Sequence, residues 1–109
     1  MSYIPNQGDI IWLDFTPQSG HEQKGRRPAL VISNYYFNGK TGLSLVCPIT
    51  STKRSFPLHV RIDSCREISG FIMVEQVKSI DYQSRNAEFA EKAPGELLNE
   101  VLSILYACI

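Results

Sequence analysis

Hydrophobic and polar positions alternate along most of the chain, and the period changes once, near the end. Residues 9–15 (DIIWLDF) put Ile11, Leu13 and Phe15 on one face and Ile10 and Trp12 on the other, with Gly8 before the run and Pro17 after it. That period of two predicts a strand. Residues 28–33 (PALVIS) are a nearly continuous apolar run, the pattern of a short central strand. A third strand is predicted over residues 43–49, after an Asn38-Gly39 turn signal and Gly42. Leu58, Val60 and Ile62 alternate with His59 and Arg61, and Pro57 stands at the start, where a missing N–H is tolerated. Residues 71–77 (FIMVEQV), opened by Gly70, read as one mostly buried strand, and residues 87–90 as a further short one.

From Pro94 onward the period lengthens. Leu97, Leu98, Val101, Leu102, Leu105 and Cys108 recur at three- and four-residue spacing, opposite Asn99, Glu100 and Ser103. Pro94 suits the first helical position, and Glu96 complements the helix dipole. Short strands followed by one helix predict a mainly β fold, a small, strongly bent antiparallel barrel with a C-terminal α-helix against it. With 109 residues, 43% of them hydrophobic, the chain is expected to form a single domain over residues 1–109. A chain of this size buries roughly two-thirds of its unfolded surface and needs no metal or disulfide staple.

Several classes are set aside. No run approaches the ~20 apolar residues of a membrane span. The start of the chain lacks the basic-then-apolar pattern of a secretory signal. Cys47, Cys65 and Cys108 are odd in number and without C-x-x-C spacing, which fits a reducing cytoplasm and argues against a zinc site or disulfide framework. The expected location is cytoplasmic.

Net charge is zero, but its distribution is uneven. No acid lies between positions 23 and 62, where Lys24, Arg26, Arg27, Lys40, Lys53, Arg54 and Arg61 fall, whereas residues 81–109 are acidic. Clustered cations attract polyphosphate. Solvated loop charges balanced across the fold would give the same pattern.

Three constellations carry candidate chemistry. The stretch between Phe15 and Pro28 (TPQSGHEQKGRR) is long for so small a domain and has no large apolar side chain, the mark of a functional or mobile loop. Arg27 closes it at the mouth of a buried strand, where a fixed guanidinium suits a phosphate whose oxygens gain charge. Glu22 can pair with Arg27 or accept a proton; an ordinary ion pair at a loop end explains the same residues. Thr50, Ser51 and Thr52 followed by Lys53 and Arg54 offer hydroxyls and cations at a strand end, or plain turn chemistry. Glu75-Gln76-Val77-Lys78 ends an apolar run with a carboxylate, an amide and an ammonium. His21 and His59 are expected to be exposed, and Cys47 to be packing. No metal-ligand spacing and no glycine-rich phosphate cradle occur. These residues alone reach a phosphate-binding small barrel.

Gly8-Asp9-Ile10-Ile11-Trp12, then Glu22-Gln23, Gly25, Arg27-Pro28-Ala29-Leu30-Val31-Ile32, Asn38-Gly39-Lys40-Thr41-Gly42, Cys47-Pro48-Ile49-Thr50 and Glu75-Gln76-Val77-Lys78-Ser79-Ile80 resemble the MazF toxins. These are the endoribonuclease half of type II toxin–antitoxin pairs, in a superfamily with Kid and CcdB. The resemblance spans nearly the whole chain. It implies an SH3-like barrel working as a homodimer, without a cofactor or metal ion, on single-stranded RNA. It further implies attack by the ribose 2′-OH on the adjacent phosphate, leaving 2′,3′-cyclic phosphate and 5′-OH ends. The family's catalytic arginine falls on Arg27, its threonine on Thr50 and its loop glutamate on Glu22. Lys24, Arg26, Ser51, Lys53 and Lys78 are expected to hold phosphates, and Phe15 or Gln76 to contact bases. The implied partner is a MazE-like antitoxin whose acidic C-terminal tail covers the RNA groove. Relatives commonly carry aspartate where this chain has Glu75, and the Kid branch uses it in catalysis; the longer Glu75 favours the Arg27/Thr50 assignment. Two other readings share the fold: a CcdB-like poison of DNA gyrase without enzymatic activity, and an SH3-like binding module.

Overall fold

The computed structural model describes residues 3–15, 25–53 and 57–109. In chain order the elements are β1 (Asp9–Phe15), β2 (Gly25–Val31), α1 (Tyr35–Thr41), β3 (Leu43–Thr50), β4 (His59–Ile62), β5 (Gly70–Met73), a 3-10 turn (Val74–Gln76), β6 (Lys78–Asp81), β7 (Glu88–Lys92) and α2 (Gly95–Ala107). Every strand pairing is antiparallel. The order β4-β5-β3-β2-β1-β7, with β6 also on β3, makes one curled sheet that forms a half-barrel with α2 against it. The expected mainly β, SH3-like architecture with a C-terminal helix fits it broadly.

Both faces of the central strands are buried, which is why 28–33 reads as continuous apolar sequence. Ile10, Leu30, Cys47 and Ile49 join one core with Ile72, Leu97 and Val101, so α2 covers that face. Ile11, Leu13, Phe15, Ala29, Val31 and Val46 join a second core with Ile80 and Tyr82. No helix among the described residues is long and apolar enough to cross a membrane.

The structure corrects four details. Residues 71–77 are not one strand. Two registers lie on one edge of β3, Ile49↔Ile72 and Val46↔Lys78, and between them Cys47 and Pro48 face the longer stretch 73–77. The 3-10 turn takes up that excess. Pro48 supplies the reason. Leu45 O accepts from Ile32 N on the β2 side, so by alternation the N of residue 48 faces the other edge, where a proline has no proton to donate.

Asn38-Gly39 is not a turn between strands but lies inside α1. Asn34 caps that helix by accepting from Phe37 N at 2.8 Å, and Gly42, at φ 75°, ends it with its N–H on Asn38 O. Asn38 is fully buried, donating Nδ2 to Pro5 O at 2.9 Å and Ser33 O at 3.2 Å, while Tyr82 donates to its carbonyl at 2.7 Å. β2 starts at Gly25, placing Arg26 and Arg27 in the strand. Pro94 is the cap of α2 and not its first residue.

Candidate active site

Pro28 determines where the site opens. On the facing edges of β2 and β3 the hydrogen-bonded positions are Ile32 with Leu45 and Leu30 with Cys47, so the next is Pro28 with Ile49. Proline has no proton for the Ile49 carbonyl, and the paired register stops at Ala29↔Pro48. Beyond it the strands border a cavity of about 320 Å³ lined by Trp12, Arg26, Arg27, Pro28, Ile49, Ser51 and the segment Glu67, Ile68, Ser69. Ser51 and Ser69 also line a second cavity of about 330 Å³, reached by Lys53, Arg61 and Phe71.

Continuing the register beyond Ala29↔Pro48 sets Arg27 opposite Thr50. Arg27 also pairs with Leu13, and Thr50 with Phe71. Paired residues share a face, so Arg27 and Thr50 project from the same side of the sheet as Phe15 and Lys78. The Nε of Arg27 is buried without a hydrogen-bond partner, and no carboxylate among the described residues pairs with its guanidinium. The Thr50 hydroxyl oxygen accepts from Thr52 N at 3.1 Å, which leaves its own proton to be donated outward. A fixed fork of donors beside a hydroxyl donor is suited to an oxyanion.

Gly70 holds Thr50 in place. Its φ is +124°, and a Cβ there would overlap the Thr50 carbonyl oxygen. Only glycine allows β5 to approach so closely.

The remaining predicted residues divide. Phe15 is 5% exposed, and the Lys78 ammonium sits 5.3 Å from its ring centroid. The two were predicted separately and are brought together. Gln76 lies exposed in the 3-10 turn. Arg26 borders the first cavity beside Arg27, but its guanidinium is already engaged. It projects from the opposite face to Arg27, where it pairs with Asp14 at 2.9 Å and Glu88 at 3.1 Å and donates to Asn86 O. Hydrogen bonds from Asn86 and Arg26 hold the Asp14 carboxyl below its ordinary value. Glu22, Lys24, His21 and Arg54 lie outside the described residues.

His59 is also a correction. Its side chain is 4% exposed, and Nε2 lies 2.9 Å from Glu75 Oε2. Period two put it on a polar face, but the 3-10 turn folds Glu75 over it. Burial, with the Glu75 charge nearby, pushes the Cys47 thiol up to about 12, so it stays protonated and acts as packing, as expected.

Sequence reasoning missed Glu91. Its carboxylate accepts from the backbone N–H groups of Arg66, Glu67 and Ile68 at 3.0, 2.8 and 2.7 Å. Burial pushes its pKa up, but these three donors and the Arg66 charge outweigh it and hold the carboxyl below its ordinary value. This latch fixes the segment that walls the first cavity. No sequence signal marks it, because a carboxylate in a backbone nest depends on tertiary placement.

Residues 6–109 match the family described as the PemK-like, MazF-like toxin of type II toxin–antitoxin systems. The endoribonuclease toxin MazF of Escherichia coli (strain K12) is 43% identical over 96 residues, covering 87% of this chain and 86% of that protein. The crystal structure of MazF (Form-I) from Deinococcus radiodurans superposes with a TM-score of 0.89 at 43% identity, covering 98% of this chain and 97% of that one. A MazE–MazF crystal structure (Form-II) from the same organism gives 0.88 at 43% identity, covering 98% and 96%. With a family match over nearly its whole length and a 43% identical relative covered to 86%, the chain belongs to the PemK/MazF-like toxins of type II toxin–antitoxin systems.

Proposed function

We propose that this chain is a toxin endoribonuclease that cuts single-stranded RNA at short motifs, as a cytoplasmic homodimer, and that an antitoxin with an acidic tail neutralises it. The observation that carries the reading is the Arg27 guanidinium, held on a central strand two residues beyond the Ala29↔Pro48 pair, where the continued register leads to Thr50, and without a protein acceptor among the described residues. The ribose 2′-OH attacks the adjacent phosphorus, the bond to the 5′ oxygen breaks, and the leaving oxygen takes a proton to become a 5′-OH. The other product is a 2′,3′-cyclic phosphate. Arg27 and the Thr50 hydroxyl donate to the non-bridging oxygens as their charge grows. Arginine's high pKa makes it an electrostatic stabiliser and not a base. Glu22 orients Arg27 or moves a proton, and Lys53 and Lys78 neutralise neighbouring phosphates. Glu75 is held by His59, which supports assigning the chemistry to Arg27 and Thr50.

An antitoxin partner is supported by the MazE–MazF complex of Deinococcus radiodurans. The cations of residues 24–61 suit a tail whose carboxylates mimic phosphates. The test is incubation of purified protein with a long single-stranded RNA in excess EDTA, followed by end-group analysis. Discrete cuts with cyclic phosphate and 5′-OH ends are expected. Intact RNA from a folded dimer would reject the reading and favour a gyrase poison or a binding module.

A further inference from the structure

Arg27 and Thr50 belong to a row that continues across the sheet. Thr50 pairs with Phe71, and Phe71 pairs with Arg61 on β4. Direct opposition puts all four side chains on one face, with neighbouring strands about 4.8 Å apart. Two paired strand spacings separate Thr50 from Arg61, about 10 Å, a span that a few nucleotides of extended RNA bridge. Between the two arginines stands one half-buried aromatic ring, Phe71. Arg61 is exposed and, among the described residues, pairs with no carboxylate. Arg61 and Phe71 line the second cavity together with Lys53, Ser51 and Ser69, and the two serines are shared with the cavity at the Arg27 end.

We propose that Arg61 and Phe71 form an auxiliary nucleotide subsite, in which Phe71 stacks a base of the RNA flanking the cleaved bond and Arg61, with Lys53, holds its phosphate. The proposal rests on the RNA-cleaving reading above. The chemistry is that of single-strand binding: a π surface that accepts any base, beside cations that follow the backbone. Cross-strand Arg–Phe pairs are also common on plain sheet surfaces. Here the pair adjoins two hydroxyls and a lysine in a cavity that shares Ser51 and Ser69 with the one at Arg27, so it is set for an anionic aromatic ligand. The subsite would favour longer RNA without reading its sequence.

The test uses a 2′-O-methyl oligonucleotide, which cannot be cleaved. It is the shortest length the protein binds, compared with the same oligonucleotide extended by a few nucleotides at either end. Extension at one end is expected to tighten wild-type binding about ten-fold, the scale of one stacked base. Arg61→Ala and Phe71→Leu should each remove most of that gain, and Arg61→Ala should lower the slope of log Kd against log salt by about one. Thermal melts of both variants establish that they fold. If neither extension helps the wild type, or both variants keep the full gain, the subsite does not exist. If the variants weaken an acidic peptide and leave the oligonucleotide unaffected, the cavity is a peptide site and the proposal is wrong. Because binding is read without cleavage, failure of the nuclease reading shows separately, as intact RNA in the EDTA experiment.

Discussion

Gly70 and Thr50 are in such close contact that the glycine has no room for a side chain: a Cβ would meet the threonine's carbonyl oxygen, and φ at Gly70 is +124°. The position of the Thr50 hydroxyl therefore depends on a residue that takes no part in chemistry. Gly70→Ala must move β5 or the end of β3. Misplacement of a reacting group by an ångström costs on the order of 10²-fold in rate. The expected result is a fall in kcat larger than any rise in KM, measured on a fluorogenic RNA oligonucleotide, together with a lower Tm.

Arg27→Ala and Arg27→Lys should each lose about 10²–10³-fold in cleavage rate, the scale of removing one oxyanion donor. Lysine keeps the charge but not the planar fork. Since Arg27 has no partner among the described residues, Tm should barely move. A variant that melts normally and cuts at the wild-type rate would remove Arg27 from the mechanism.

Arg26 and Lys53 separate by salt. Lys53→Gln should lower the slope of log Kd against log salt for RNA by about one, as expected for a phosphate contact. Arg26→Gln should leave the slope nearly unchanged, because Asp14 and Glu88 already neutralise that guanidinium. Equal slopes for the two variants would contradict the assignment of Arg26 to an internal pair.

Glu91→Gln should destabilise the protein at neutral pH by about 1 kcal/mol, a charged hydrogen-bond contribution discounted for partial exposure. The sign with pH follows from the direction of the shift. A carboxyl held below its ordinary value contributes stability that is present above the unfolded value, 4.5, and disappears as pH falls through the lower folded value. The gap in Tm between wild type and Glu91→Gln should therefore be full at pH 7 and close in acid. A gap that widens on acidification would refute the latch.

Asn38→Ala removes the donor to Pro5 O and Ser33 O from a fully buried position. Leaving such groups unpaired costs about 2–3 kcal/mol. Chemical denaturation should show the midpoint falling while cleavage by the folded fraction is kept.

β1 was legible because its alternation of two faces survives in the fold, Ile11, Leu13 and Phe15 in one core and Ile10 in the other. The break in 71–77 was not, because Val74 is as buried in a 3-10 turn as it would be in a strand, so hydropathy does not change there. Asn38-Gly39 misled for a related reason. Asn-Gly is a strong hairpin signal, but it also serves a short helix capped by Asn34 and Gly42. In the site, the motif singled out Arg27 and Thr50, but their opposition is a matter of register that no local pattern encodes. Glu91 lies 23 to 25 positions from the N–H groups it accepts, a distance over which spacing carries no information.

The detour at the 3-10 turn separates two registers on one edge of β3, Thr50 with Phe71 on one side and Val46 with Lys78 on the other. It therefore acts as a length buffer. An insertion or deletion within 74–77 can be absorbed outside the strand ladders, without sliding Thr50 along β5 or lifting Lys78 from Phe15. The two registers along that edge can thus shift in length relative to each other without either being lost.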